Sequence, residues 1–591
     1  MGGETSDNQE LWKQAGFHRP LGGLLYNLII IFIAAGLGIV ISVWLFPNFI
    51  LPYPEALGFI NITTSFFAVY FVLLDFGIGS SIERFVAAET VTHPYRALKY
   101  IQFFIWYQMF SGLCQISVIA MWVLMGMVES ELAYACWFFL IYSTVQYPGM
   151  LSVFHGMLKA YQRFDKANII DFIQYQLFEN VLKVIFILAG RWLGSLNPGV
   201  GELVGATLGA IIGTYLRDFV SAGIAAYWIK PILKDINPEF GLKYVFFPDF
   251  GWEIAKKCIW FGVRVMIPGL ITPIANFAAT LMIVNWLPNY SSTLGMFMLG
   301  ETLSTMTTTF KFSGIGASIS EAYSNKKLNL TRHYVEMAYK WAGIFGFFMV
   351  GLLFFGADII GVIVGGSFFL VTPIIQNFLF FKLMTIFKDH NSWFITGSGK
   401  PEYQIIFSIV EQGVRLLILW MMLRIIPSGW LALVYSLGIS WVANWLVSFI
   451  ILNKKVVKVK INIWQTVIAP GGAALVEALF IYISKTLMLP ILAGLMGELA
   501  ASIVGIVIYL LISLLFIFFP VYALLGGWDE HSLKIFRKSV QISGPSKFII
   551  KFMYSISLKL SNVSPLYNRF KMDMTDVETE MKEITELRQK K

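Results

Sequence analysis

The sequence predicts an all-α polytopic membrane protein of about 14 transmembrane helices, with two parallel six-helix repeats forming two lobes plus two extra helices. Three observations support this fold class: the composition, the recurrence of long apolar segments, and an internal repeat. Of the 591 residues, 57 % are hydrophobic and 13 % are charged, about half of the roughly 25 % charged fraction of an ordinary globular protein. A soluble chain of this size could not cover its surface with so few charges, which excludes a string of soluble domains.

The charge balance and the cysteines narrow the class further. The chain has 44 Lys and Arg against 35 Asp and Glu, a net charge of +9. With so little soluble mass, this excess indicates contact with anionic membrane lipids and not with nucleic acid. Cys114, Cys136 and Cys258 all lie in apolar stretches, so the sequence predicts no disulfide framework.

Apolar segments long enough to cross a bilayer of about 30 Å recur along the whole chain. The first, Leu24–Phe46, is longer than the apolar core of a signal peptide and is predicted to be an uncleaved helix. The other predicted spans are at 55–75, 101–127, 132–155, 169–190, 203–229, 254–286, 294–318, 338–364, 370–395, 403–426, 430–452, 465–487 and 495–519.

The distribution of basic residues predicts the orientation. With both termini cytoplasmic, only Arg191, Arg424 and Lys485 lie in outward loops, five more lie within spans, and 36 of the 44 remain on the inner side. This bias follows the positive-inside rule and predicts a multi-pass protein of the cell membrane. The predicted organisation is a cytoplasmic N-terminal segment at 1–22, an N-lobe of spans 1–6 at 23–229, a cytoplasmic linker at 230–253, a C-lobe of spans 7–12 at 254–452, spans 13 and 14 at 453–526, and a cytoplasmic tail at 527–591.

Two glycine motifs stand 237 residues apart, each at the predicted inner end of a span. Gly77-Ile-Gly79 lies in span 2 and Gly314-Ile-Gly316 lies in span 8. Glycines allow helices to approach closely, so helix packing is the simplest role for these residues. A hinge for movement of the lobes is the alternative.

A second match lies in spans 5 and 11, at a separation of 232 residues. Glu179 precedes Lys183, and Glu411 precedes Arg415, in both cases by four positions. This spacing with the acid first favours a structural ion pair on one helix face. Because both matches are separated by six spans, the two halves are predicted to share one orientation. Two like-oriented bundles around a cavity are typical of a transporter that works by alternating access.

The segment 74–89, Leu-Asp-Phe-Gly-Ile-Gly-Ser-Ser-Ile-Glu-Arg-Phe-Val-Ala-Ala-Glu, resembles the signature after the second helix of Wzx-type polysaccharide flippases. These belong to the multidrug/oligosaccharidyl-lipid/polysaccharide exporter superfamily, whose 6 + 6 + 2 helix arrangement is also similar to the predicted one. The resemblance implies translocation of an isoprenoid-(pyro)phosphate-linked oligosaccharide from the inner to the outer leaflet, for cell-surface polysaccharide or glycan assembly. It also implies two lobes around a cationic cavity. The tail at 527–591 departs from the pattern, because many relatives would not need it.

Basic residues in the spans are the candidate substrate ligands, since an ionised side chain in the bilayer is costly without a partner or water. Arg264 in span 7 has no acidic residue within four positions and lies beside Pro268. A guanidinium can bind a phosphate bidentately; the alternative is an acidic partner on another span. Lys311, Arg84 and Lys382 are further candidates. Each also has a simpler role. The Lys311 side chain can reach the inner interface, Arg84 can anchor the inner end of its span, and Lys382 can pair with a nearby acidic residue.

Glu301 in span 8 and Glu477 in span 13 have no basic residue within four positions. A lone intramembrane carboxylate can carry a coupling Na⁺ or H⁺, or it can be protonated and bonded to a neighbouring helix. The sequence has no Walker loop and no Cys–His spacing for a metal. Its outward loops carry few acidic residues. It therefore predicts a transporter without cofactor or metal, and not an enzyme.

The tail contains two predicted helices. Residues 528–541 place Leu533, Phe536 and Val540 on one face among basic residues, which predicts an amphipathic helix lying on anionic headgroups. Residues 572–591 repeat apolar residues at helical spacing and predict a short helix that docks on a cytoplasmic partner or on the protein's own loops. A frayed tail is the alternative. Two alternatives to the flippase remain open: a multidrug or toxic-compound extruder of the same fold, and a passive phospholipid scramblase.

Overall fold

The computed structural model is helical wherever the described residues form regular structure. It describes residues 11, 14–26, 28, 39–75, 78, 85–86, 89, 93–127, 129, 136–144, 153–160, 170, 174, 178–308, 310, 312, 315–425, 429–572, 574 and 576–589. In chain order, the α-helices are α1 (His18–Tyr26), α2 (Pro54–Asp75), α3 (Pro94–Trp122), α4 (Cys136–Thr144), α5 (Val153–Ala160), α6 (Glu179–Leu196), α7 (Gly201–Ile236), α8 (Leu242–Val245), α9 (Trp252–Gly269), α10 (Ile271–Trp286), α11 (Tyr290–Ser304), α12 (Ile315–Ser324), α13 (Leu328–Val364), α14 (Val371–Gly397), α15 (Tyr403–Ile425), α16 (Gly429–Lys455), α17 (Ala469–Met496), α18 (Glu498–Ile512), α19 (Phe519–Leu524), α20 (Glu530–Gln541), α21 (Lys547–Val563) and α22 (Val577–Gln589).

The membrane-spanning character is evident from helix length and composition. In the part of the chain that the structure describes, eight helical segments are long and apolar enough to cross a bilayer. They are Pro54–Leu73, Pro94–Gly126, Gly201–Ile236, Leu328–Val364, Tyr403–Ile425, Gly429–Lys455, Trp464–Met496 and Glu498–Leu524. The all-helical, multi-span class is confirmed, and the count of fourteen stays a prediction.

Two predicted spans are interrupted. The predicted span 254–286 forms two helices, α9 and α10, which meet at Leu270. Pro268 and Pro273 flank this break, and neither can donate the backbone hydrogen bond that a continuous helix needs there. In the predicted span 294–318, α11 gives way to a 3₁₀ turn at Thr305–Thr308, because hydroxyls of this Thr-rich stretch bond to nearby carbonyl oxygens.

The chain divides into two compact units. The first comprises Met1–Asn48, Phe297–Met422 and Trp430–Lys591, and the second comprises Phe49–Met296 and Leu423–Gly429. These boundaries differ from those of the predicted lobes at 23–229 and 254–452, because α9 and α10 group with residues 49–229. The lobes therefore remain a sequence prediction.

Within the second unit, α6 and α7 pack along a row of glycines. A Cβ atom added at Gly190 would meet the carbonyl oxygen of Gly205, and one added at Gly209 would meet that of Phe186. Such close backbone approach is typical of membrane helices with small residues at their interface. A larger side chain at Gly190 or Gly205 would separate the two helices.

Within the first unit, α13 is the central helix. It packs against α14, α17 and α18, and also against the tail helix α22. Lys340, about three turns into this helix, is fully buried. The Lys340 ammonium donates to Gln465 Oε1 at 2.9 Å and to Ser532 Oγ at 2.8 Å, and it lies 5.3 Å from the ring centre of Trp528. Lys340 thereby joins α13 to the segment that precedes α17, through Gln465, and to α20, through Ser532.

The counter-charge of Lys340 is Asp529, which caps α20. Its carboxylate accepts from Ser532 N at 2.7 Å, from Ser532 Oγ at 2.6 Å and from Gln465 Nε2 at 3.3 Å. Gln465 and Ser532 thus bridge the two buried charges. Burial raises the pKa of Asp529, but the charge of Lys340 and these hydrogen bonds outweigh it and lower the pKa to about 2. This contribution to stability is present above about pH 4 and is lost as the pH falls towards 2.

The predicted lipid-facing helix of the tail packs against protein instead. Leu533, Phe536 and Val540 are buried, and α20 packs against α1 and α21. The Phe536 ring lies 5.2 Å from that of Trp341 and 5.5 Å from that of Trp528. Aromatic side chains therefore cover the apolar face of α20. The same apolar pattern would suit a lipid surface, so the sequence alone could not distinguish the two.

The last helix docks on the protein itself, which is one of the predicted alternatives. Glu580 of α22 accepts from the backbone N–H of Leu330 at 2.7 Å and from Asn329 Nδ2 at 3.1 Å. These residues lie in the first turn of α13, whose own N-cap residue, Lys327, makes no side-chain cap. The carboxylate therefore satisfies an otherwise open helix start, where negative charge is favourable.

We expect Asp529→Ala to lower the free energy of unfolding by about 3–5 kcal/mol, because it leaves the Lys340 ammonium buried without its counter-charge. The double variant Lys340→Met/Asp529→Ala should recover most of that loss, since no buried charge is left. Thermal unfolding of the purified protein, followed by tryptophan fluorescence, measures both. Wild-type stability of Asp529→Ala would contradict the buried charge pair.

We expect Glu580→Ala to lower the stability of the docked α22 by about 1 kcal/mol, the usual value of a helix cap. Limited proteolysis within 577–589 should become faster. Thr579→Ala on the same helix is the control, since Thr579 is exposed. Equal cleavage rates for the two variants would show that the cap does not hold the helix in place.

Candidate functional site

Six charged side chains on α11, α14 and α15 form a network inside the first unit, hereafter the charged network. Its members are Glu301, Lys382, Lys388, Asp389, Glu411 and Arg415. Its clearest pair joins two predicted site residues. The Lys382 ammonium donates to Glu301 Oε1 at 2.7 Å and to Thr305 Oγ1 at 3.0 Å. The Lys382 side chain is 5 % exposed, whereas that of Glu301 is 34 % exposed.

Aromatic rings complete the surroundings of Lys382. Its ammonium lies 4.8 Å from the ring centre of Trp441 and 5.6 Å from that of Phe378. The π-faces of these rings attract the cation and shield it from water. Lys382 is therefore a buried, fully coordinated cation, and Glu301 is the partner that solvent or a ligand can reach.

A second pair stands further along α14. Lys388 Nζ lies 3.0 Å from Glu411 Oε2 and 3.9 Å from Asp389 Oδ1. The same oxygen of Glu411 accepts a hydrogen bond from Asn444 Nδ2. Both side chains of the Lys388–Glu411 pair are about 15 % exposed. The Glu411 carboxylate of α15 therefore contacts side chains of α14 and α16. The (i, i+4) spacing of Glu411 and Arg415 did not predict these contacts between helices.

Arg415 belongs to the same network. Its Nη1 donates to Gln412 Oε1 at 3.3 Å. The negative charges of Glu411 and Glu301 attract the Arg415 guanidinium. Glu411 and Arg415 thus belong to an arrangement of three cations and three acids, in which Glu411 pairs with Lys388. Their direct pairing stays a prediction. A network of this kind can rearrange its pairs when one member gains a proton, a cation or an anionic ligand.

The remaining predicted residues are placed as follows. Glu477 is fully buried on α17, where it lies against Gly351, and among the described residues it has no ion-pair partner. Lys183 is half-buried on α6, beside the backbone of Gly213. Gly316 is the second residue of α12. It packs on α14, since a Cβ atom added at Gly397 would lie 2.6 Å from the Gly316 carbonyl oxygen.

Several predicted residues lie outside the described part of the chain. The backbone of Arg264 is helical within α9, but its side chain and that of Glu179 are not described. Arg84, Lys311, Gly77, Gly79 and Gly314 are outside the described residues altogether. Among the residues that the structure does describe, no group of three or more His, Cys, Asp and Glu could hold a metal ion.

Several residues around these charges carry no signal in the sequence. Thr305, Trp441, Gln412 and Asn444 are uncharged, and nothing in their local sequence distinguishes them from other polar or aromatic residues of a span. Lys340 was missed because it begins a predicted span, where a basic residue is expected to reach the interface. The sequence does contain an acidic residue, Asp529, beyond the last predicted span. Only the packing of the helices brings it close to Lys340.

Comparison with solved structures identifies the fold. No protein-family model matches the sequence, and no curated protein matches it. The lipid II flippase MurJ in an inward closed conformation superposes with a TM-score of 0.57 at 14 % identity, over 81 % of this chain and 98 % of that chain. The inward-facing conformation of a multidrug resistance MATE family transporter of the MOP superfamily gives 0.51 at 16 % identity, over 73 % and 94 %. The chain therefore has the fold of the MOP superfamily transporters.

Proposed function

We propose that the protein is a flippase that moves an isoprenoid-(pyro)phosphate-linked oligosaccharide from the inner to the outer leaflet by alternating access. The observation that carries this proposal is the likeness to the lipid II flippase, which extends over 81 % of the chain. The motif at 74–89 supports it independently from sequence. The transported lipid would serve the assembly of a cell-surface polysaccharide or glycan.

The charged network supports an anionic substrate and suggests how an ion could be coupled to transport. Glu301 is the exposed member of the pair with Lys382. A proton or Na⁺ taken up by Glu301 would weaken its bond to the ammonium. Lys382 would then be free to attract the substrate phosphate, because a buried cation that loses its partner must find another anion. Arg264, Lys311 and Arg84 are proposed as further phosphate ligands.

A multidrug or toxic-compound extruder is the second candidate, favoured by the likeness to a MATE family transporter. Reconstitution of the purified protein in liposomes with chemically defined substrates separates the candidates. We expect accessibility at the outer leaflet for an isoprenoid-pyrophosphate-linked sugar, but neither efflux of a cationic dye nor transfer of a phosphatidylcholine analogue. Dye efflux alone would favour the extruder, and transfer of every lipid would favour a passive scramblase.

We expect Arg264→Ala to reduce transport of the pyrophosphate-linked substrate at least about tenfold, since a bidentate charge-assisted contact is lost. Arg264→Lys should rescue transport partly at most, because an ammonium lacks the planar fork of guanidinium. Size-exclusion chromatography confirms that the variants are folded. Normal transport by Arg264→Ala would remove this residue from the substrate site.

We expect Lys382→Gln and Glu301→Gln each to abolish coupled transport, because either change breaks the 2.7 Å pair. Lys485→Gln is the matched control, since Lys485 pairs with Asp358 between α17 and α13, outside the charged network. The reversed pair Glu301→Lys/Lys382→Glu should fold but not restore transport, because the exposed position then carries a positive charge. Equal activities of Lys382→Gln and Lys485→Gln would contradict the proposed role.

A further inference from the structure

A cavity of about 580 Å³ that is open to solvent lies in the first unit, lined by four segments distant in sequence. They are the residues that lead into α1, the beginning of α13, and the tail helices α20 and α22. No member of the charged network lines it. Its volume lies within the range of pockets that bind small molecules, about 300–1,000 Å³.

Three lysines converge on this cavity from two helices. Lys534 and Lys538 lie one turn apart on α20, and Lys582 comes from α22. Like charges at (i, i+4) spacing repel each other. Burial and the neighbouring Lys534 lower the pKa of Lys538, whose ammonium donates to the neutral Gln14 Oε1 at 3.1 Å. Among the described residues, none of the three lysines is joined to a carboxylate in an ion pair.

A pair of histidines, the buried His333 and the half-buried His531, forms another part of the wall. The Nε2 atoms of His333 and His531 are 3.4 Å apart, and both residues line the cavity. His333 is 1 % exposed, and its Nδ1 atom has no hydrogen-bond partner among the described residues. A buried polar atom without a partner is costly, and a ligand in the cavity could supply one.

Acidic residues complete the lining. Glu578 and Glu586 of α22 face the same cavity, and among the described residues neither pairs with a lysine. Ammonium groups that are left unpaired suit the oxygens of a phosphate, and carboxylates suit hydroxyl donors. A single inorganic phosphate would occupy only a fraction of the volume. The chemistry therefore suits a larger molecule that carries both phosphate and hydroxyl groups.

We propose that this cavity is a binding site for a phosphate ester with hydroxyl groups, of about the size of a nucleoside diphosphate. The ammonium groups of Lys534, Lys538 and Lys582 hold the phosphate, and Glu578 and Glu586 accept from the hydroxyls. The ligand contacts the leading residues of α1, the first turns of α13, and both tail helices, so its binding stabilises the docked tail. This site is separate from the proposed substrate site, and its test requires no transport.

The test uses the full chain in nanodiscs of phosphatidylcholine, titrated with uridine diphosphate by isothermal titration calorimetry. We expect saturable binding to one site. Lys534→Gln/Lys538→Gln should weaken binding by at least about tenfold, because two charge-assisted contacts are lost. The matched control is Lys551→Gln/Lys559→Gln on α21, two exposed lysines outside the cavity. It should change the affinity by less than about twofold, since neither lysine lines the cavity.

A labelling experiment on the unmodified protein covers the case in which the cavity variant fails to fold. Acetic anhydride labelling with mass spectrometry should show protection of Lys534, Lys538 and Lys582 by uridine diphosphate, with Lys551 and Lys559 unaffected. A lipid headgroup can also carry phosphate and hydroxyl groups. Nanodiscs with phosphatidylinositol 4-phosphate test whether such a headgroup is the ligand of the cavity. Protection of the same lysines there, without nucleotide, assigns the site to that lipid. Wild-type affinity of the folded cavity variant, or absence of protection by either probe, overturns the proposal.

Discussion

The buried charges of Lys340 and Asp529, bridged by Gln465 and Ser532, are the constraint on which the organisation of the first unit depends. An ammonium with no exposure to solvent is tolerable only if its donors and its charge are satisfied. The groups that satisfy it come from the segment before α17 and from the tail. The tail is therefore part of the packed unit and not an appendage to the spanning helices.

Two kinds of polar cluster serve different ends in this unit. Around Lys340 every partner is buried, so the cluster is closed and fixes one arrangement of helices. Around Lys382 the cation is buried but its carboxylate partner is one-third exposed, so the cluster is open on one side. A closed cluster contributes to stability and specificity, whereas an open one can exchange partners with a ligand. For this reason we place the proposed transport chemistry at the charged network.

The tail brings distant parts of the chain together. Glu580 caps the beginning of α13, and Thr585 Oγ1 accepts from the backbone N–H of Ala15. Val577 and Ile584 are buried where α22 docks. These contacts join segments that line the cavity shared by three lysines, so the docked tail and the proposed anion site are parts of one arrangement. A ligand that neutralises the lysines would strengthen the docking that creates its site.

The sequence by itself determined that this is a multi-span helical membrane protein, because composition and the length of apolar segments are properties of the chain that no packing can change. It also identified Glu301, Lys382, Glu411 and Arg415 as charges that need an explanation inside a span. Only the tertiary structure decided their partners. Glu301 and Lys382 are 81 residues apart, and Lys340 and Ser532 are 192 apart. Local spacing reports neighbours on one helix face, whereas these pairs form between helices whose packing depends on the whole fold. The same limit explains the tail, since a buried face and a lipid-facing one have the same apolar pattern until a protein surface is found to cover it.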